Sequence, residues 1–121
     1  MRVVVVGALY GLSAVALGAV GTHVLAGTMT PTDEGAFQTA VMFQLLHAAV
    51  MVAMGGLKPY MLPALLGAAS WAIGLGVLLF CGSLFAAAFG APTEIAFIAP
   101  LGGGLLLLGW LLLAIGAARR L

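Results

Sequence analysis

The sequence predicts an all-α fold, a single domain in which four transmembrane helices form an integral membrane bundle. The chain is 64% hydrophobic and only 6% charged, whereas about a quarter of the residues in a soluble domain carry a charge. Its four basic and three acidic residues separate four uncharged runs, and each run exceeds the roughly 20 residues that an α-helix needs to cross a bilayer. Because lipid offers no water to unpaired backbone groups, nearly the whole chain should be helical.

The first helix is expected at about residues 3–25. This run is longer than the apolar core of a usual secretory signal, so we expect it to be retained. Its small residues repeat at spacings of three and four, which places them on one helical face. Such a face lets a second helix approach closely, so these glycines are predicted to pack against a neighbour. The row consists of Gly7, Gly11, Ala14, Gly18 and Gly21.

The second helix is expected at about residues 31–57. Thr30 is a suitable N-cap residue, and Pro31 suits the first helical position because its missing N–H is not needed there. The helix should end before Pro59, since a proline disfavours helical dihedrals in the residue that precedes it.

The third helix is expected at about residues 61–89 and should end at Gly90, a residue type that favours helix C-termini. The fourth is expected at about residues 100–118. Its glycines Gly102, Gly109 and Gly116 repeat every seven residues and therefore lie on one face. They are predicted to make a second close helix contact.

The distribution of charge predicts how the bundle is oriented. Threading four spans puts every basic residue at one end and every acidic residue at the other, and basic residues stay on the cytoplasmic side during insertion. Both termini are therefore expected in the cytoplasm. The basic residues are Arg2, Lys58, Arg119 and Arg120, and the acidic residues are Asp33, Glu34 and Glu94.

Two polar side chains interrupt the apolar second helix. Gln44 and His47 lie three residues apart, and Met51 and Met54 continue the same helical face. Exposing an amide and an imidazole to lipid costs several kcal/mol, on the order of 2–7, so this seam should face protein. We expect His47 to be neutral, because desolvation disfavours the charged ring.

Three interpretations of the Gln44/His47 seam remain open. The two side chains could hydrogen-bond to other helices and fix the packing, with Ser83 or Cys81 of the third helix as candidate partners for the amide. They could form an intramembrane proton or ligand site. The third is metal or haem ligation, which is disfavoured because such sites usually need more than one histidine at one depth.

Other polar groups are expected near the ends or sides of the bundle. The second histidine, His23, lies near the outer end of the first helix, about 10 Å or more above His47 by helical rise. It could hydrogen-bond to Gln38 or Thr39, or titrate at the outer surface. The indole N–H groups of Trp71 and Trp110 should each prefer a polar partner within the bundle.

Most other chemistry is not expected from this sequence. No basic cluster is large enough to suggest nucleic acid, and the acidic residues lie in loops, where they make no buried acid pair. The single cysteine fits no multi-cysteine metal pattern. We therefore expect no enzymatic activity, no cofactor and no metal.

Four blocks of the sequence combine polar and small residues at fixed spacing: residues 18–23 (GAVGTH), 39–48 (TAVMFQLLHA), 79–85 (LFCGSLF), and 100–103 (PLGG) with the pair Gly109-Trp110. These blocks resemble a small family of bacterial and mitochondrial membrane proteins, the domain of unknown function family 423, whose eukaryotic members include transmembrane protein 256. The resemblance implies four helices in the bacterial inner membrane and no established activity. Of the family's polar pattern, this chain keeps His23, Gln44, His47 and Ser83.

The sequence therefore predicts a multi-pass protein whose partners are the lipid bilayer and other transmembrane helices. Abundant helix-packing signals with little chemistry favour an accessory subunit of a membrane assembly, formed with itself or with other proteins. The alternative is a small transporter or proton-conducting element that uses the Gln44/His47 seam. It would act as a homo-oligomer, because four short helices enclose little volume.

Overall fold

A computed structural model describes residues 1–120 of the chain. Its four long α-helices are each long and apolar enough to span a membrane. Short 3-10 segments at Gly55–Tyr60 and Thr93–Phe97 extend the second helix and precede the fourth. The helices are α1 (Arg2–His23), α2 (Pro31–Met54), α3 (Pro63–Ala88) and α4 (Ile98–Ala118).

The helix starts follow the capping signals in the sequence. At α2, the side chain of Thr30 accepts a hydrogen bond from the Asp33 N–H at 3.2 Å, and Pro31 occupies the first turn. Proline also opens α3, at Pro63, two residues after the expected start. Leu62 before it is extended (φ −63°, ψ 131°), because the proline ring disfavours helical dihedrals there.

The helix ends differ from the expected bounds by up to three residues. The α-helical part of α2 stops at Met54, and the chain tightens into the 3-10 segment that contains Pro59. Glycine favours this early end, because Gly55 and Gly56 have the lowest helix propensity after proline. At the end of α3, Gly90 adopts a φ of 93°, a left-handed conformation that glycine reaches without strain and that commonly ends a helix.

The helices pack in the order of the chain. α1 packs mainly on α2, α2 on α3, and α3 on α4, whereas α1 and α4 lie on opposite flanks of the central α2/α3 pair. The connection between α2 and α3 lies at the same end as both termini, where the Val4 side chain reaches Gly55. All four basic residues are at this end.

The core lies where α2 meets α3. The largest fully buried side chains are contributed only by these two helices, whereas much of α1 and α4 is exposed on the outside of the bundle. α2 and α3 therefore form the rigid centre to which the two outer helices attach. The fully buried side chains are Met51, Met54, Ile73, Val77 and Cys81.

Candidate functional site

Gln44 connects α2 to α1. Its side chain is only 6% exposed, and its Nε2 donates to the Tyr10 carbonyl at 3.0 Å and to the Ser13 hydroxyl at 2.6 Å. Ser13 in turn donates to the same Tyr10 carbonyl at 3.1 Å. Both hydrogens of the amide N–H₂ group are therefore used within one small network between two helices.

His47 connects α2 to α4. The ring is 3% exposed. Its Nδ1 lies 2.7 Å from the Phe43 carbonyl, one turn earlier on α2, and its Nε2 lies 3.1 Å from the Trp110 Nε1 on α4. Both ring nitrogens thus have partners.

The hydrogen-bond partners of His47 assign a tautomer to its ring. A backbone carbonyl can only accept a hydrogen bond, so Nδ1 must carry a proton; an indole N–H can only donate, so Nε2 must keep its lone pair. This assignment describes a neutral imidazole with the proton on Nδ1. A second proton on Nε2 would remove the acceptor that Trp110 uses.

Tyr10 adds a third connection between helices. Its hydroxyl donates to the Gly74 carbonyl on α3 at 2.8 Å, so Tyr10 bonds α3 through its side chain while its carbonyl serves Gln44. Polar bonds therefore join α1 to α2, α1 to α3, and α2 to α4. Within the described chain, no buried side-chain nitrogen or oxygen is left without a hydrogen-bond partner.

The seam expected on α2 is buried along its whole length. Gln44, His47, Met51 and Met54 are all buried, and the two methionines belong to the core between α2 and α3. The polar pair therefore continues the buried face of the helix in the direction of its N-terminus. It faces protein and not lipid.

Ser83 and His23 do not join this pair. Ser83 is buried but donates to the Phe80 carbonyl of its own helix at 2.9 Å, so the prediction that it could pair with the buried amide was wrong. Serine in a helix commonly bonds the carbonyl of the preceding turn. His23 is exposed at the end of α1, and in residues 1–120 its side chain forms no hydrogen bond with Gln38 or Thr39.

The two tryptophans behave differently. Trp110 is 45% exposed, yet its N–H is bonded to His47, as expected. Trp71 is 72% exposed, and in the part of the chain described here its indole has no partner within the bundle. The expectation was therefore correct for Trp110 and wrong for Trp71.

The glycines of α1 face α2 with unequal closeness. A Cβ atom at Gly7 would lie 2.8 Å from Met51 Cβ and 3.0 Å from the Ala48 carbonyl oxygen, distances that no real side chain tolerates. At Gly11 the nearest atom, Ala48 Cβ, would be an ordinary 3.6 Å away. Gly18 and Gly21 would meet the side chains of Val41 and Phe37 on α2.

The glycines of α4 make the closest helix contact in the bundle. A Cβ at Gly102 would lie 2.8 Å from the Phe80 Cα and 2.9 Å from the Gly76 carbonyl oxygen of α3. At Gly109 a Cβ would lie 3.2 Å from Ile73 Cδ1 and 3.3 Å from its backbone nitrogen. Backbone atoms cannot move aside as side chains can, so these glycines set the distance between α3 and α4.

Tyr10 and Ser13 were not predicted as partners of Gln44, although the sequence holds a signal for them. Counted at 1.5 Å per residue from the end that carries the termini, Ser13 and Gln44 lie at about the same depth, roughly 15 Å. Equal depth alone does not identify a partner, because it must also be known which helix lies beside α2.

The described side chains were also expected to hold no metal site. No group of three His, Cys, Asp or Glu side chains comes together in residues 1–120.

Comparison with known proteins agrees with this architecture. The family model described as protein of unknown function (DUF423) matches residues 17–103. A UPF0382 membrane protein of Haemophilus influenzae is 40% identical over 93% of this chain and 90% of its own length. The UPF0382 inner membrane protein YgdD of Escherichia coli K12 is 35% identical over 93% of this chain and 86% of its own.

Similarity extends to more distant bacteria. A UPF0382 membrane protein of Staphylococcus saprophyticus is 30% identical over 96% of both chains. No solved structure matches the chain. Given its four membrane-spanning helices and these relatives, the chain belongs to the DUF423 family and is a multi-pass inner-membrane protein of uncharacterised function.

Proposed function

We propose that the chain is a helix-packing component of a membrane assembly, in which Gln44 and His47 hold its own helices in place and perform no chemistry. The observation that carries this proposal is the full hydrogen bonding of His47. Its Nε2, the nitrogen that a proton or ligand site would use, accepts the Trp110 N–H. A free base would instead face a water-filled space.

The cavities of the bundle support the same proposal. Residues 1–120 form four surface cavities whose linings include neither Gln44 nor His47. A substrate or a chain of water molecules would need such a space beside the polar groups. Gln44 instead hydrogen-bonds to α1 and His47 to α4.

The outer helices offer surfaces on which a partner could pack. On α1, Leu12 and Val15 are 69% and 61% exposed, and on α4, Leu107 is 73% exposed. In a bilayer these faces meet either lipid or another transmembrane helix. An assembly partner, either a second copy or a different membrane protein, would therefore dock on α1 or α4.

Purification from native membranes tests this proposal. The tagged protein would be extracted in a mild detergent, cross-linked and sized, and we expect a species larger than one chain. Leu12→Phe on α1 and Leu107→Phe on α4 enlarge one outer face each, so each variant serves as the control for the other. Recovery of the isolated monomer alone, before and after cross-linking, would contradict an assembly role.

One observation favours a second candidate, a proton-conducting homo-oligomer. His47 is an ionisable group near the middle of the Pro31–Tyr60 span, and such groups often mark proton pathways. Proton flux into liposomes that contain the purified protein separates the two proposals. A structural role predicts no flux above that of empty liposomes, whereas conduction predicts flux that His47→Gln abolishes and Trp110→Phe, which frees Nε2, preserves or increases.

A further inference from the structure

A groove separates α1 from α3 on the flank of the bundle that α4 does not cover. It consists of two adjoining cavities with volumes of about 340 and 550 Å³. Both are lined by Arg2 and Val3 of α1 and by Ser70 and Trp71 of α3. Volumes of this size are typical of sites for small molecules.

The deep part of the groove is apolar. Val6 and Leu75 form its sides, and Met51 of the core closes its back. The polar groups in its walls are already used, since the Tyr10 hydroxyl donates to the Gly74 carbonyl and the Ser70 hydroxyl donates to the Leu66 carbonyl. This part of the groove therefore offers a binding surface for a hydrocarbon chain and little for a polar ligand.

The mouth of the groove is cationic. Arg2 and Lys58 both line the outer cavity, and both side chains are exposed. The acidic residues cannot neutralise them, because Asp33 and Glu34 open α2 and Glu94 precedes α4, at the opposite end of the helices. Two basic side chains and the N-terminal amino group of Met1 therefore stand at the polar end of an apolar groove, and no acidic side chain of residues 1–120 lies at this end.

We propose that this groove binds one anionic phospholipid, with its phosphate between Arg2 and Lys58 and one acyl chain against Val6 and Leu75. Basic pockets between transmembrane helices are suited to anionic headgroups, which basic side chains near the membrane surface attract. The inference is independent of the assembly role, because a lipid in this groove requires no partner protein.

Trp71 supports this assignment. It stands at the lip of both cavities and is 72% exposed. It lies eight residues into α3, about 12 Å from Pro63 by helical rise, level with the apolar part of the groove that Tyr10 and Gly74 also line. Its large apolar ring therefore adds surface for an acyl chain.

Lipid binding by the full-length protein tests the proposal. Native mass spectrometry of the detergent-solubilised protein would compare phosphatidylglycerol with phosphatidylcholine as probes. We expect one tightly bound phosphatidylglycerol. The double variant Arg2→Gln/Lys58→Gln should weaken it by on the order of thirty-fold, since each basic residue near the surface contributes about a factor of five.

Matched controls separate this groove from a general effect of charge. Arg119→Gln/Arg120→Gln removes two charges from the same end but on α4, and it should leave binding unchanged. Val6→Phe fills the groove without altering charge and should also weaken binding, whereas Val5→Phe adds the same bulk to an exposed position outside it.

Three results would overturn the proposal. The first is equal binding of the two lipids, and the second is equal loss of binding in the α4 control and the Arg2/Lys58 variant. The third is displacement of the lipid by inorganic phosphate alone, which would indicate a phosphate site with no role for the acyl chain.

Discussion

The two outer helices are attached to the centre of the bundle in different ways. α1 is held by polar bonds, since Tyr10 and Ser13 bond Gln44 of α2 and the Tyr10 hydroxyl bonds α3. α4 is held by close backbone contact along two glycines and by a single polar bond, from Trp110 to His47. Close packing of glycines thus dominates the attachment of α4 and interhelical hydrogen bonding that of α1, while Gly7 adds one close contact on the α1 flank and Trp110 one bond on the α4 flank.

This difference follows from the residues that each interface brings together. Backbones that approach closely gain many weak atom contacts, and only glycine permits that distance on α4. On α1 only Gly7 would bring a Cβ against backbone atoms of α2, the Ala48 oxygen at 3.0 Å and the Val52 nitrogen at 3.1 Å. Gly7 lies near the end that carries the termini, and the polar network begins about one turn further along. We therefore expect substitutions to affect the two flanks in opposite order: changes of volume should harm the α4 flank most, and changes of polarity the α1 flank.

The largest effect is expected from Gly102→Val. Its new side chain would meet the backbone of Phe80 and Gly76, which cannot yield, so α4 must move away from α3. We expect a loss of about 3 kcal/mol in the free energy of unfolding, the upper part of the usual range for overpacking. Gly104→Val is the matched control, because a Cβ at Gly104 meets nothing within 4 Å. Unfolding by steric trapping would measure both, and equal losses would refute the close contact.

A smaller effect is expected from Gln44→Leu, which keeps the volume and removes the polar bonds to α1. Ser13 still donates to the Tyr10 carbonyl, so no buried group is left without a partner. Interhelical hydrogen bonds in membranes contribute about 0.6 kcal/mol on average, so two bonds predict a loss of about 1 kcal/mol. Leu45→Ala, at an exposed position on the same helix, provides the control. An unchanged free energy of unfolding would show that the network adds nothing to the attachment of α1.

Trp110→Phe should weaken the α4 flank by about as much as Gln44→Leu weakens the α1 flank, although it removes one bond and not two. It leaves the buried Nε2 of His47 without its partner, at an expected cost of about 1 kcal/mol, the lower end of the range for a buried polar group that loses its partner. Trp71→Phe should cost close to nothing, because that indole bonds nothing in the described bundle. Nitrogen NMR of the imidazole provides a second measurement: Nδ1 should carry the proton in the native protein, and only Trp110→Phe should shift the Nε2 signal.

The sequence predicted the inward face of α2 but not what lies opposite. The seam from Gln44 to Met54 follows from helical period and the cost of polar groups in lipid, both of which are local properties. Which helix covers each part of the seam depends on how all four helices pack. The local sequence alone allows either Ser83 or Tyr10 to lie against the amide of Gln44. In the structure, Tyr10 and Ser13 lie there.

The glycines also show which features follow from the local sequence pattern and which depend on the packing of all four helices. Gly102 and Gly104 are equivalent in the sequence of α4, with the same residue type two positions apart. They differ only because Gly102 faces α3 and Gly104 faces outward. Periodicity identified Gly102 and Gly109 as sharing a face, but the closeness of contact at each position was not predictable before the helices were placed.

The smallest effect is expected from Ser83→Ala, and it completes the comparison because Ser83 is as buried as the residues that join helices. Its hydroxyl bonds only the Phe80 carbonyl of its own helix, and that carbonyl keeps its place in the helix when the hydroxyl is removed. We therefore expect the free energy of unfolding to fall by no more than about 0.5 kcal/mol, as for a substitution on the surface, although Ser83 is buried. Ser13→Ala, which removes a hydroxyl shared with Gln44, should cost more in the same steric-trapping measurement. A larger loss at Ser83 than at Ser13 would mean that burial, and not bonding between helices, sets the contribution of a polar group in this bundle.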